Sequence, residues 1–238
     1  MDAGVTTLQF DGMIIPVLID STSRKAKLTV ERDGSLQLKA APDVELAELE
    51  QFLATKRDWI YRKLADKADL AAAPVSKELV DGEGYLYLGR SHQLRIVPTE
   101  DCRVRLLSGR LVLPQSLLGS GYAHIIQWYV TTGLAWLKPR AKEWSGRLRV
   151  NPVAIEVADL GNKWGSADAT GRVRIHWATM QLRPTLVDYV LAHELAHLRE
   201  RHHGAAFWQA LGRAMPDFDQ RKRDLAQTGA SIWKGPVR

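Results

Sequence analysis

The sequence predicts an α+β protein, a β-rich N-terminal part followed by an α+β part organised around one helix. Three observations predict it. Short alternating apolar segments separated by Asp33-Gly34, Gly89-Arg90 and Ser108-Gly109 occupy the first ~114 residues. From Gly121 the apolar residues recur at three and four, the helical period. Two strand-like segments then precede a helix at Leu186 to Leu198. The expected division is 1–114 and 115–238, with the join near Pro114 to Gly121, and no internal repeat is visible.

In chain order, Leu28 and Val30 alternate with polar neighbours, Asp33-Gly34 supplies a turn, and Leu36 and Leu38 resume the alternation. Pro42-Asp43 opens one helix carrying Leu46, Leu49, Phe52, Leu53, Ile60 and Leu64, and Ala71-Ala72-Ala73-Pro74 ends it. Tyr85 to Leu88 pairs with Gln93 to Val97, and Arg103 to Leu107 with Arg110 to Leu113. His92 reads as a surface strand residue. Tyr122, Ile125, Ile126, Tyr129, Leu134 and Leu137 then mark a core-facing helix, with His124 in its packing and Pro139 kinking it or starting a new segment. Val153 to Val157 is a strand, Gly161 to Thr170 a loop and Val173 to Trp177 a second strand; Pro184 and Thr185 introduce the next helix.

The 238 residues are 45% hydrophobic, enough for real cores. Met1-Asp2-Ala3 begins no charged-then-apolar leader, and the longest apolar run, Met13 to Ile19, is short and broken by Pro16, so a soluble protein with neither a secretory signal nor a membrane span is expected. A single cysteine, Cys102, excludes an internal disulfide and fits the cytoplasm. The net charge of +6 gathers in Lys138 to Arg149 and Arg221 to Arg223, a basic surface that would suit nucleic acid or nucleotide. The oligomeric state is not legible.

His193-Glu194-Leu195-Ala196-His197 is an H-E-x-x-H sequence. At ~100° per residue, positions four apart point the same way, so the two imidazoles converge on one ion while Glu194 reaches a water beside it. On a helical wheel Val187, Val190, Leu191, Leu195 and Leu198 form an apolar stripe, with Asp188, Ala192, Ala196 and Arg199 facing away. Glu194 falls in the middle of that stripe. A carboxylate facing a core is costly unless something uses it, and this is the place of a catalytic base.

Two histidines do not complete a catalytic zinc site, which takes three protein ligands and a water. Glu200, His202, His203, Asp217 and Asp219 are the candidates. On a continuous helix His203 would lie ~15 Å beyond His193. A turn at Arg199 to Arg201 brings it back, with Gly204 supplying backbone freedom.

These residues, with Phe207-Trp208 and the upstream Lys163-Trp164-Gly165-Ser166, resemble the signature of the YgjP-like metallopeptidase family, zincins related to the SprT-like and WLM groups. Leu182-Arg183-Pro184, Ser23-Arg24-Lys25 and the helix through Trp59 also fit, so the resemblance covers most of the chain. It implies a zincin-like domain with zinc on His193, His197 and His203 and Glu194 as general base. The family box continues Trp-Gly-Ser-Cys and is preceded by Arg; Ala167 and Lys163 stand there, so neither metal binding nor nucleophilic chemistry is essential at position 167.

The expected function is zinc-dependent peptide hydrolysis, with other divalent ions able to replace zinc. Trp164, Gly165, Ser166, Ile175, His176 and Trp177 are expected to shape the cleft, and Val173 to Trp177 to pair with an extended substrate. Lys163, His176 and Tyr189 are candidate oxyanion stabilisers. Two alternatives are a metal-dependent phosphohydrolase acting on nucleotides or nucleic acid, and a nucleic-acid-binding adaptor with a closed structural zinc site.

Overall fold

Two-residue turns in which both φ angles are positive shape the first half of the chain. The computed structural model describes residues 6–22, 25–30, 35–68, 75–99, 101, 103–161 and 163–236. Its contacts divide the chain into units of Met1–Ala71 and Ala72–Arg238.

In the first unit, Asp11-Gly12 (φ 49° and 79°) joins β1 (Thr6–Phe10) to β2 (Met13–Ile19). β3 (Lys27–Val30) and β4 (Leu36–Ala40) form the second hairpin, and β2 runs parallel to β4 in the order β1-β2-β4-β3. The two alternating segments pair antiparallel as expected of a hairpin, with Val30 opposite Leu36. Its turn, Asp33-Gly34, lies outside the described residues, as does 71–74. The expected single helix is two, α1 (Leu46–Thr55) and α2 (Arg57–Ala68), separated at Lys56. Leu49, Leu53 and Ile60 from these helices share one core with Leu8, Ile15, Val17, Leu36 and Leu38.

The second unit opens with the same architecture. β5 (Gly84–Tyr87), β6 (Arg90–Val97), β7 (Arg105–Leu107) and β8 (Arg110–Pro114) follow the order β5-β6-β8-β7, with β6 parallel to β8. Leu88-Gly89 and Ser108-Gly109 are again paired positive-φ turns, which match strand twist in two-residue hairpins. Register repeats as well: Val17 faces Leu38 in the first sheet and Leu94 faces Leu111 in the second, and all four side chains are buried. The repeat is one of topology, absent from the sequence as a string.

The join expected near Pro114 follows the change from strand to helix composition, whereas the contacts group 72–114 with the residues after it. The cause is a shared core. Tyr85 of β5 meets Trp233 edge-on (ring centroids 5.5 Å apart), and Trp233 packs on Trp177 (5.3 Å). Tyr129 donates its hydroxyl to the Leu86 carbonyl (2.6 Å).

Tyr129 belongs to α3 (Gly121–Leu148), one continuous helical element with Pro139 inside it. A three-stranded sheet follows, β9 (Ala154–Ala158), β10 (Gly165–Ala167) and β11 (Arg172–His176), in the order β10-β11-β9. β10 lies within the segment expected to be a loop. A 3-10 turn at Trp177–Gln181 leads to α4 (Pro184–Ala196), then α5 (Ala205–Ala214) and α6 (Phe218–Gly229). Among the described residues no helix is long and apolar enough to cross a membrane.

α4 is buried on nearly every side, packed against α3, α5, α6, β10 and β11. Asp188, Ala192 and Ala196, expected to face away from the core, are buried with the apolar stripe. Asp188 tolerates this because Arg140 of α3 grips it bidentately (Nε–Oδ1 2.6 Å, Nη2–Oδ2 2.9 Å). Arg140 is thereby withdrawn from the basic Lys138 to Arg149 run, and Arg147 pairs with Glu143 (2.7 Å).

Candidate metal centre

α4 ends at Ala196, so the chain turns at His197 to Arg199, earlier than the sequence suggests. Leu198 N and Arg199 N donate back to the Leu195 and Ala196 carbonyls, closing the turn. Gly204 begins α5 with φ −79°, ordinary extended backbone, so its freedom is not what turns the chain.

The turn brings His203 back beside His193 and His197, and one nitrogen from each ring lies within 4.8 Å of the others. His193 Nε2 and His203 Nε2 are 2.9 Å apart. Two imidazole nitrogens on one tetrahedral ion at ~2.05 Å would lie about 3.3 Å apart, so a small opening of this pair seats an ion. His197 Nδ1 donates to the Glu200 carbonyl (3.1 Å), which leaves Nε2 as its acceptor nitrogen. Nδ1 of His193 is buried without a partner among the described residues, so its tautomer is set from the Nε2 side. Burial, then the neighbouring His197, His203 and Lys222, push the His193 pKa down to about 3; burial, then His197, Lys222 and His202, lower that of His203. Neutral imidazoles are the ligating form, and the donor set fits a divalent ion of borderline softness.

The wall behind the three rings is apolar. Phe207 of α5 is fully buried, with its ring 5.0, 4.6 and 4.8 Å from His193, His197 and His203. Trp208 donates Nε1–H to the His203 carbonyl (3.0 Å), stacks on that imidazole and on Phe218, and carries Lys222 Nζ over its own ring (4.6 Å). The roles of Phe207 and Trp208 follow from this packing, and Lys222, within the basic Arg221 to Arg223 run, reaches the site only through the tertiary packing of α6.

Glu194 is 9% exposed, and burial raises its carboxyl pKa to about 7 against the opposing pull of Lys163. The reason for a glycine at 165 is visible here. A Cβ on Gly165 would lie 2.5 Å from Glu194 Cγ and 2.9 Å from Oε1, so the carboxylate rests directly on the β10 backbone. Trp164 makes the matching contact on the other side: a Cβ on Gly229 of α6 would come within 2.9 Å of its ring, and Lys234 Nζ sits 4.9 Å from it. Ser166 pairs with Arg174 in the β10–β11 ladder.

The remaining expected cleft residues lie elsewhere. Ile175 and Trp177 are fully buried core side chains, and His176 accepts the Ala178 N–H on Nδ1 (2.9 Å) with Nε2 towards Asp159 (3.4 Å). β11 is the central strand of its sheet, paired on both sides, so Val173 to Trp177 has no free edge for an extended substrate. The edge beside Glu194 is β10. Trp164 O accepts from His176 N and Asp168 N donates to Arg172 O, so by ladder alternation Gly165 and Ala167 turn their N–H and C=O groups outward. Tyr189 lies one turn before His193 with ring centroids 5.8 Å apart; burial, with Asp219 and Glu194 nearby, raises its pKa to about 12.

No curated protein matches the chain. The crystal structure of the metallopeptidase zymogen of Pyrococcus abyssi abylysin is similar at 18% identity and a TM-score of 0.35, covering 38% of this chain and 93% of that one. The model of the YgjP-like metallopeptidase domain matches residues 24–228. The chain therefore belongs to the YgjP-like metallopeptidase family, and is a metal-dependent peptidase by that membership.

Proposed function

We propose that the chain is a zinc peptidase in which His193, His197 and His203 hold the ion and Glu194 is the general base. The observation that carries the proposal is the convergence of three imidazoles beside a buried carboxylate that rests on a strand edge. When bound, a divalent ion at such a site supplies Lewis acidity and makes water a competent nucleophile near neutral pH. Glu194, with its pKa raised to about 7, accepts the proton of the attacking water on a carboxylate oxygen and delivers it to the departing amine nitrogen. Gly165 and Ala167 hold an extended substrate by main-chain pairing, which places the scissile bond along the strand that touches Glu194. Phe207 keeps water from the far side of the imidazoles.

The test is metal analysis of the purified protein together with hydrolysis of peptide libraries, nucleoside triphosphates and single-stranded DNA, each with and without chelator. Zinc at one ion per chain and chelator-sensitive peptide cleavage are expected. Chelator-sensitive cleavage of phosphate substrates with peptides untouched would overturn the choice of bond.

A further inference from the structure

We infer that the second unit carries a separate binding cleft for an extended acidic polypeptide segment, which adds as a strand to the free edge of β7. The cleft is about 600 Å³ and lies between β7 and α3, away from the histidine cluster in sequence and in element. That is the size of a ligand site.

The shape of its lining shows how it is used. Every residue from Arg103 to Leu107 contributes. Successive side chains of a strand point to opposite faces, so the three residues of β7, Arg105 to Leu107, can all border one cavity only if it runs along the edge of the strand. The opposite wall is His124, Gln127, Trp128 and Thr131, spaced as one stripe of a helix. β7 is the terminal strand of its sheet. Its two-residue turn is closed by Leu107 and Arg110, so Leu107 and Arg105 spend their N–H and C=O groups on β8 while Leu106 turns its own into the cleft, which Val104, just ahead of the strand, also lines.

Comparison of the two sheets supports an absent occupant. The equivalent edge strand of the first sheet, β3, is packed by α2 of its own unit. The edge strand of the second has an open cleft instead, and Leu107 at its border is 46% exposed.

Charge selects the occupant. The charged residues lining the cleft are Arg103 and Arg105, and they share one carboxylate, Asp101 (Arg105 Nη2 2.7 Å, Arg103 Nε 3.6 Å). Two guanidiniums against one carboxylate leave a net positive border. Trp128 and Leu106 supply an apolar interior. An extended segment with carboxylates at alternate positions meets the arginines with one set of side chains and the Trp128 stripe with the other.

The experiment uses the full chain carrying Glu194→Gln, so that its readout is binding alone and stands whether or not the chain cuts peptides. A fluorescein-labelled hexapeptide of alternating glutamate and valine is titrated, with the alternating lysine and valine peptide as its counterpart. The glutamate peptide is expected to saturate, to weaken by about tenfold with Arg105→Glu, and to slow hydrogen exchange at the Val104 and Leu106 amides. Leu106→Pro removes an N–H that faces away from β8, a place where a strand tolerates proline, and is expected to abolish binding with the fold retained. Equal binding of the two peptides, or undiminished binding to both variants, or saturation without protection at Val104 and Leu106, would overturn the proposal.

Discussion

The two four-stranded sheets have the same strand order, the same positive-φ turn in their first hairpins and the same register of buried pairs, yet they serve different structures. β1–β4 closes on α1 and α2 in a core drawn entirely from residues before 72. β5–β8 closes on Tyr129, Trp177 and Trp233, and its first turn is fixed by Leu88 N to Met180 O (2.8 Å) and Gly89 N to Gln181 O (3.2 Å), just before α4 begins. One topology is thus a self-contained layer in the first unit and part of the support of the helix that carries His193 and His197 in the second. What separates them is the partner of the buried face.

The largest expected break between the units is chemical. Glu194→Gln should lower peptide hydrolysis by about 10²–10⁴-fold with metal content unchanged, checked by turnover and metal analysis on one preparation. Parent-level turnover in the loaded variant would remove the chemistry from this residue. Matched core truncations come next. Leu38→Ala and Leu111→Ala occupy equivalent positions, 0% and 1% exposed, and each should cost about 2–5 kcal/mol. In calorimetry Leu38→Ala should lower a transition that leaves the metal bound, and Leu111→Ala the transition that releases it; one transition shifted alike by both contradicts two separate cores. Chelation should lower only the second transition, by roughly 2.7 kcal/mol where free ion had stood at 100 times its Kd. Matched turn glycines give the smallest effects. Gly12→Ala meets open space and should cost about 1 kcal/mol for its positive φ, measured by urea unfolding. Gly89→Ala places a Cβ 3.0 Å from Arg183 Cα and should cost more, with lower metal affinity because it presses on the start of α4.

Features set by nearby residues were legible in the sequence, and features set by distant partners were not. The convergence of His193 and His197, the need for a turn before a third ligand and the β3–β4 hairpin follow from local geometry, while the choice of His203 among the candidates rests on the family resemblance. The break at Lys56 escaped because Ile60 and Leu64 keep a helical period across it. The duplicated sheet escaped because too few of its equivalent positions share identity as Leu38 and Leu111 do; others share burial alone, as Leu8 and Tyr85 do. Strand order is not written in a strand's own alternation, so β11 reads as an edge when it is central, and the three residues Gly165-Ser166-Ala167 carry no strand pattern of their own. The wheel placed Asp188 outside because its partner, Arg140, lies 48 residues earlier.

The loop that carries His203 is held by protein bonds at both ends, His197 to the Glu200 carbonyl and Trp208 to the His203 carbonyl, with Phe207 packed beneath. Small zinc modules are unfolded without their ion. On the proposed assignment the loop carrying the third ligand owes its shape to hydrogen bonds and ring packing, so removing the ion is expected to stop turnover without dismantling the chain. A stripped sample is then expected to recover on mixing with the ion rather than on the timescale of refolding.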